Sequence, residues 1–356
     1  MTDVVKVGVD VTPLVGPPSG IHQITRGLVD ALSRRSDIDV SGWILSTRAR
    51  RPDLDIPVRH THFSASLAQR FWSHSGFPSA RLIAGRVDVA HGTNFLAPPS
   101  PRSVVSVQDL TPITHPEWVR PEVSAMARPL RRAIDAGATL HTSSQAVADD
   151  AAHELGVDPS QIAVIHHAVT PVGPGDPARA EELAGGGRFI VALGTVERRK
   201  NIPSLLALLP TLPTDVSLVI AGPVGNDEDL LASEIAASAL SDRVHRLTEV
   251  DNHDRASLLR AASVLVFPSL HEGFGLPPLE ALQVGTPVVA TAVGVLPELL
   301  SDRLDLVPPG DAVAFAELVS DTLDTPHADS ELTARVDAMT WTRAAAEMAD
   351  LYRSLC

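Results

Sequence analysis

The chain has one cysteine in 356 residues, and it is the last, Cys356. No internal disulfide can form, so a reducing cytoplasm fits better than an oxidising compartment. Lysine is almost as scarce: of 29 basic residues only Lys6 and Lys200 are lysines, the other 27 being arginines. No apolar run approaches the roughly 18 residues that a membrane-spanning helix needs. The opening MTDVVKVGVDV enters an apolar strand pattern with no basic segment ahead of it, and no signal peptide is expected. No Asn-x-Ser/Thr site is present, so secretion has no support. Also missing are a Gly-x-Gly-x-x-Gly fingerprint, a P-loop and a Gly-x-Ser-x-Gly elbow. Their absence leaves no motif for dinucleotide oxidoreductases, Walker-type NTPases or serine hydrolases.

What is present is a globular composition, 44% apolar and 20% charged, at a length that favours two domains. The net charge of −14 is uneven: residues 1–170 carry 16 basic against 16 acidic side chains, which leaves 13 against 27 for residues 171–356. Nucleic acid is therefore not an expected partner. The balanced first half could touch an anionic membrane surface, but no basic run argues for it.

Short β-rich runs alternate with helical patterns twice over. The first series has strands at Val4–Val11, Val40–Leu45, Val87–His91, Val104–Val107 and Thr139–Thr142, with helices at Gln23–Ser33, Arg120–Ala136 and Ala146–Leu155. Residues 171–187, PVGPGDPARAEELAGGG, break the periodicity and read as a linker. The second series runs through strands RFIVALGTV, SLVIAG, RVHRL, SVLVFPS and PVVAT, with helices at Ile202–Leu209, Glu228–Ala237, His253–Ala262 and Ala312–Leu323. The expectation is an α/β protein with two Rossmann-like doubly wound parallel-sheet domains facing a cleft. Its parts are residues 1–170, the linker 171–187, residues 188–338, and a terminal helix at 339–356 suited to packing at the domain seam.

The densest chemistry lies in HEGFGLPPLEAL, residues 271–282, directly after the strand SVLVF. Pro277 and Pro278 suit a first helical turn, and the helix is expected to run to Val284 and stop at Gly285. Gly273, Phe274, Gly275 and Leu276 then lie at a helix start, where backbone N–H groups bind anions. Glu272 and Glu280 flank them. Carboxylates there can be dipole caps, or they can accept pairs of hydroxyl hydrogen bonds from ribose or a hexose. The second-half lysine, Lys200, sits in GTVERRKN, and a compact ammonium differs from guanidinium at a closely held phosphate. Together these features describe a pocket for a nucleoside diphosphate sugar.

FPSLHEGFGLPPLEALQVGTPVVAT closely resembles the retaining family-four glycosyltransferases of GT-B fold, with their Glu-x7-Glu motif. GTVERRKN, LVIAG and WTRAAAEMADLYRSL are similar to further blocks of that family, and VDVAHGTNF, VQDLTPITHPEW and TSSQAVADDAAHELGVDPSQIAVIHHAV to its mannosyltransferase-like members. The resemblance implies that Glu280 holds ribose and that Glu272 holds the donor sugar with the amides of Gly273–Leu276. It places Lys200 and Arg199 on the diphosphate, Thr195 at the donor, and Val250 near the base. The loop VGPPSGIHQ, with Gly16, Gly20 and His22, and the residue Asp109 would border the phosphate and the acceptor. One departure stands out: Gln108 precedes Asp109 where these relatives carry histidine, which implies altered sugar recognition. Neither a metal nor another cofactor is implied. The expected partners are a nucleotide-sugar donor, GDP-mannose ahead of a UDP-hexose, and a sugar, lipid-linked or small-molecule acceptor. A nucleotide-sugar epimerase, a phosphorylase and a non-catalytic sugar-nucleotide-binding regulator remain the alternatives. The pairs His60/His62 and His166/His167, and Asp37/Asp39 and Asp53/Asp55, read as incidental to metal binding.

Overall fold

The computed structural model describes residues 4–16, 19–47, 49–326 and 329–356. Pro17 and Pro18 of the expected phosphate loop lie outside the described residues. The chain divides into two compact units, residues 1–168 with 339–356, and residues 169–338.

The first unit contains β1 (Val5–Asp10), β2 (Ile38–Ile44), β3 (Val58–His60), β4 (Val89–Gly92), β5 (Ser103–Val107), β6 (Thr139–Thr142) and β7 (Ile162–Val164). They form one parallel sheet in the order β3-β2-β1-β4-β5-β6-β7. Valine-rich runs such as VKVGVD are buried nearly end to end, as strands covered on both faces must be. The terminal helix Trp341–Ser354 belongs to this unit. Its Ala345, Met348, Ala349 and Tyr352 join the core of β1, β2 and the helix Gly20–Ser33. Gly27 makes that approach possible, because a Cβ there would lie 2.1 Å from the Trp341 ring.

The second unit contains β8 (Arg188–Leu193), β9 (Val216–Ala221), β10 (Val244–Leu247), β11 (Val264–Phe267), β12 (Val288–Thr291) and β13 (Leu306–Val307). Its parallel sheet is ordered β10-β9-β8-β11-β12-β13. Each sheet thus places its first strand centrally and reverses direction beside it, the Rossmann arrangement.

Three helical expectations need correction. Arg120–Ala136 is two helices, Pro121–Ser124 and Ala127–Asp135, because Pro129 is tolerated only in a first turn and forces a restart at Ala127. Ile202–Leu209 is a 3-10 helix over Ile202–Leu208. Its buried Ile202, Leu205 and Leu208 recur every third residue, which lines them up on a three-residue turn. The stretch read as a linker holds the helix Pro177–Leu183. Asp176 accepts from the Ala178 N–H, and Pro177 opens the first turn, so the proline that read as a breaker is a start signal. No helix among the described residues is long and apolar enough to cross a membrane.

Candidate functional site

In the second unit the strand order reverses between β8 and β11, so the loops leaving those strands flank the position where doubly wound sheets bind ligands. The loop after β8 brings Thr195, half-buried, and the tight turn Arg198–Lys200. The loop after β11 brings Glu272–Gly275. A backbone bond from the Leu270 N–H to the Arg199 carbonyl, 2.7 Å, ties the two loops together. Lys200 Nζ donates to Glu272 Oε1 at 2.7 Å, and Arg199 Nη1 to Glu272 Oε2 at 2.6 Å. Ser269 Oγ adds a bond of 3.1 Å to Oε1, and Arg199 Nε donates to Glu197 Oε2 at 2.9 Å. Burial pushes the Glu272 carboxyl up, but the charges of Arg199 and Lys200 outweigh it and bring it to about 2. Gly194, at φ +138, ends β8, and a Cβ there would stand 3.3 Å from Lys200 Cε. Glycine therefore lets the lysine stem lie against the strand end. Arg198 is exposed.

The helix of the quoted stretch runs Leu276–Gln283, beginning one residue earlier than expected. Gly275 caps it at φ +94, a left-handed conformation that favours glycine. Pro277 and Pro278 become the second and third helical residues and supply no N–H. The expected donors, Gly273, Phe274, Gly275 and Leu276, thus lie at or before the first helical residue. Glu280 falls fifth in the helix rather than in its first turn, where the dipole effect has faded. It is buried, and Arg255 of the helix Asn252–Ala261 pairs with it, Nε donating to Oε2 at 3.0 Å. Half-buried Val250 immediately precedes Asp251, the residue that caps that same helix.

In the first unit the reversal lies between β1 and β4, and a chain of hydrogen bonds crosses the strand ends. Thr93 Oγ, after β4, donates to the carbonyl of Asp10, the last residue of β1, at 2.9 Å. Gln108, after β5, donates from Nε2 to the Thr93 carbonyl at 2.9 Å. His167, after β7, meets Gln108 Oε1 through Nε2 at 2.9 Å. Asp10 is buried, which pushes its carboxyl up to about 6 against the lowering effect of its bonds from Thr12. Asp109 Oδ1 accepts from the Thr111 N–H at 2.9 Å. Gly16 is exposed, Gly20 opens the helix Gly20–Ser33, and the His22 N–H donates to Ser19 Oγ at 3.3 Å. Burial, then Arg26, lowers the His22 pKa.

Behind Gln108 lies a second buried chain whose direction one carbonyl fixes. His141 Nε2 faces the Ile165 carbonyl at 3.0 Å and must carry its proton. Neutral His141 therefore accepts at Nδ1 from Ser106 Oγ, 2.8 Å, and Ser106 accepts from His91 Nε2, 2.7 Å. His91 Nδ1 is left to accept from the Tyr352 hydroxyl at 2.6 Å. Burial holds all three histidines, 91, 141 and 167, below the ordinary imidazole pKa, His141 at about 4.

Asp10, Thr93, His167 and Arg255 were not singled out for these roles in the sequence. The first two look like strand ends and His167 like half of an incidental pair. Nothing in the spacing links Arg255 to Glu280, 25 residues on. Among the described residues, the one set of side chains with metal-ligand geometry is Asp251, His253 and Asp254. Arg179 occupies the Asp254 carboxylate at 2.8 Å, and Asp251 is spent on capping.

Two Rossmann-type units, one with cations and a glycine turn at its reversal point, define the GT-B class. Residues 177–338 match the model of the glycosyl transferases group 1 family. That match lies within the second unit and agrees with the resemblance read from the sequence. It is 29% identical over 248 residues to O-antigen chain mannosyltransferase B of Escherichia coli, covering 66% of this chain and 65% of that protein. It is 31% identical over 228 residues to the MMP alpha-(1->4)-mannosyltransferase of Mycolicibacterium hassiacum, covering 60% and 53%. The match thus spans between about half and two thirds of these relatives' lengths. Among solved structures, sucrose-phosphate synthase from Thermosynechococcus elongatus superposes with a TM-score of 0.76 at 20% identity, covering 99% of each chain. Anabaena HepE in complex with UDP gives 0.70 at 17%, covering 98% of this chain and 100% of that one.

Proposed function

We propose that the protein transfers a hexose, mannose first among the candidates, from a nucleoside diphosphate sugar to an acceptor hydroxyl with retention and without a metal. The observation that carries this reading is the pairing of Arg199 and Lys200 around Glu272, beside the amides of Gly273–Leu276. As the glycosidic bond breaks, negative charge grows on the departing diphosphate, and two fixed cations with four nearby amides lower the energy of that charge. The departing phosphate then takes the proton of the acceptor hydroxyl, so no enzymatic base is required.

Glu272 has a double task in this reading. A carboxylate offers about four acceptor positions. Lys200, Arg199 and Ser269 occupy three, and the fourth is available to a donor-sugar hydroxyl. Glu280, steered by Arg255, accepts the ribose hydroxyls. Gln108 keeps one amide N–H beyond its bond to Thr93, and we assign that proton to the donor sugar. Solved relatives in this fold hold UDP and UDP-glucose, and two sequence relatives are mannosyltransferases, which supports a nucleotide-sugar donor.

A thermal-shift panel of GDP-, UDP-, ADP- and dTDP-sugars tests the reading, since a ligand that binds only the folded state raises its melting point. One donor is expected to shift the wild type and to leave Lys200→Ala and Glu280→Ala unshifted. Equal shifts in both variants overturn the site.

A further inference from the structure

The carboxamide of Gln108 is held at both ends, and one end dictates the other. Its Nε2 donates to the Thr93 carbonyl at 2.9 Å, and a carbonyl can only accept. That fixes the amide oxygen at the far end, where His167 Nε2 lies 2.9 Å away. An amide oxygen has no proton to give, so His167 carries its own proton on Nε2. The ring is buried, 5% exposed, and stands edge-on to the His141 ring at 5.8 Å. His141 is tied in turn to the Ile165 carbonyl at 3.0 Å, so the imidazole that grips Gln108 rests on a fixed neighbour. The Thr93 end is equally constrained. Gly92, just before it, admits no side chain, since a Cβ there would lie 1.8 Å from the Leu96 carbonyl oxygen. Phe95, two residues on, is buried at φ +59, a left-handed conformation that is costly for a bulky side chain. Strain of this kind persists only where the surroundings over-determine it, and it clusters at ligand sites.

We propose that His167 is a positioning residue, which locks the Gln108 carboxamide in the orientation that turns its remaining Nε2–H to the donor sugar. The proposal rests on the assignment of Gln108 to that sugar made above. A primary amide turns about its last bond with little steric cost, exchanging its NH2 group for its oxygen. With His167 in place, that half-turn sets the oxygen against the Thr93 carbonyl and the NH2 against the imidazole N–H. Both hydrogen bonds are lost at once, so the sugar meets a donor and not an acceptor. Without His167 only the bond to Thr93 opposes the turn. In this role His167 acts on the sugar through Gln108 alone.

Isothermal titration of the full chain tests it, with the nucleotide sugars of the thermal panel, GDP-mannose first, each against its bare nucleotide. The ratio of the two affinities isolates the sugar contact, because damage to the fold or to the nucleotide site weakens both ligands alike. His167→Phe is expected to lower the ratio about tenfold, the worth of one hydrogen bond. His167→Gln, whose amide can donate in place of Nε2, is expected to restore most of it. In a Gln108→Ala background His167→Phe is expected to change the ratio no further. Nitrogen NMR of the wild-type histidines is expected to show the ring that His167→Gln removes protonated at Nε2. A bare Nε2, an unchanged ratio in His167→Phe, or an equal loss in both backgrounds overturns the positioning role and leaves Gln108 at the sugar. If Gln108→Ala itself leaves the ratio unchanged, or no panel sugar adds affinity to its nucleotide, the assignment of Gln108 falls and the proposal with it.

Discussion

Lys200 Nζ and Glu272 Oε1 stand 2.7 Å apart across two loops that meet only because β8 and β11 are neighbours in the sheet. Glu272 is buried and Lys200 nearly so, and Arg199 completes the group from the other carboxylate oxygen. Lys200→Ala should therefore cost less than the roughly 3 to 5 kcal/mol of stripping a buried charge of its partner, because Arg199 and Ser269 remain. The loss of donor binding should exceed the loss of stability. Lys200→Arg should recover most of the stability and little of the binding, since a planar fork does not replace a compact ammonium at close range. Urea unfolding alongside thermal shift separates the two. Recovery of full donor binding by Lys200→Arg would show that the lysine's shape is immaterial.

Arg255 and Glu280 make a second pair, in which the carboxylate is buried and a partly exposed guanidinium reaches it from another helix. Arg255→Ala is expected to destabilise the second unit by on the order of 3 kcal/mol. The double variant with Glu280→Gln should cost much less than the sum of its parts, because the amide carries no charge to strand. Additive losses in a double-mutant cycle would mean that the two side chains do not interact.

Much of this architecture was legible in the sequence, for a reason visible in particular strands. VSLVIA is buried throughout and VKVGVD at every position but Lys6, so valine-rich runs announced them. The strands Val58–His60, Ile162–Val164 and Leu306–Val307 escaped because they are edge strands of two or three residues with no pattern to detect. The glycine turn and its glutamates were legible because local chemistry dictates them. Arg255 was not, since a salt bridge between helices leaves no trace in spacing. The histidines of VAHG and TLHT looked like ordinary strand residues; that they bond to each other through Ser106 is decided by sheet order.

Gln108 offers a sharper test than truncation. Its amide donates to the Thr93 carbonyl and meets His167 from the other end, so its orientation is set at both atoms. Gln108→Glu keeps the shape but turns an acceptor toward the Thr93 carbonyl, which a carboxylate can meet only if it holds a proton. Activity with the true donor should fall by about tenfold to a hundredfold, the equivalent of one lost hydrogen bond to a neutral or charged group. It should partly return on acidification as the new carboxyl protonates. Unchanged kinetics in Gln108→Glu would remove this residue from sugar recognition.

The buried histidines set the direction of the pH response. Unfolded histidine takes up a proton near 6.5, whereas His141 in place does so only at about 4, and burial lowers His91 and His167 as well. Between these limits the unfolded chain holds more protons than the folded one, so stability is complete above about pH 6.5 and is lost as the pH falls. His141 contributes about 1.4 kcal/mol per pH unit in that window, and His91 and His167 act in the same direction. Asp10 acts the other way: its carboxyl is raised from 3.8 to about 6, so its folded form holds the extra proton and offsets one histidine there. Glu272, lowered from 4.5 to about 2, adds its own loss at the acid end of that interval and below it. His22 and His245, also lowered by burial, act in the same direction as the three buried histidines, so stability should fall as the pH drops through 5. His141→Asn should flatten that fall while lowering stability at neutral pH, because the Ile165 carbonyl loses the Nε2–H it accepts from. Urea unfolding as a function of pH measures both effects. A stability curve level between pH 6.5 and 4 would mean that these imidazoles are not held neutral by the fold.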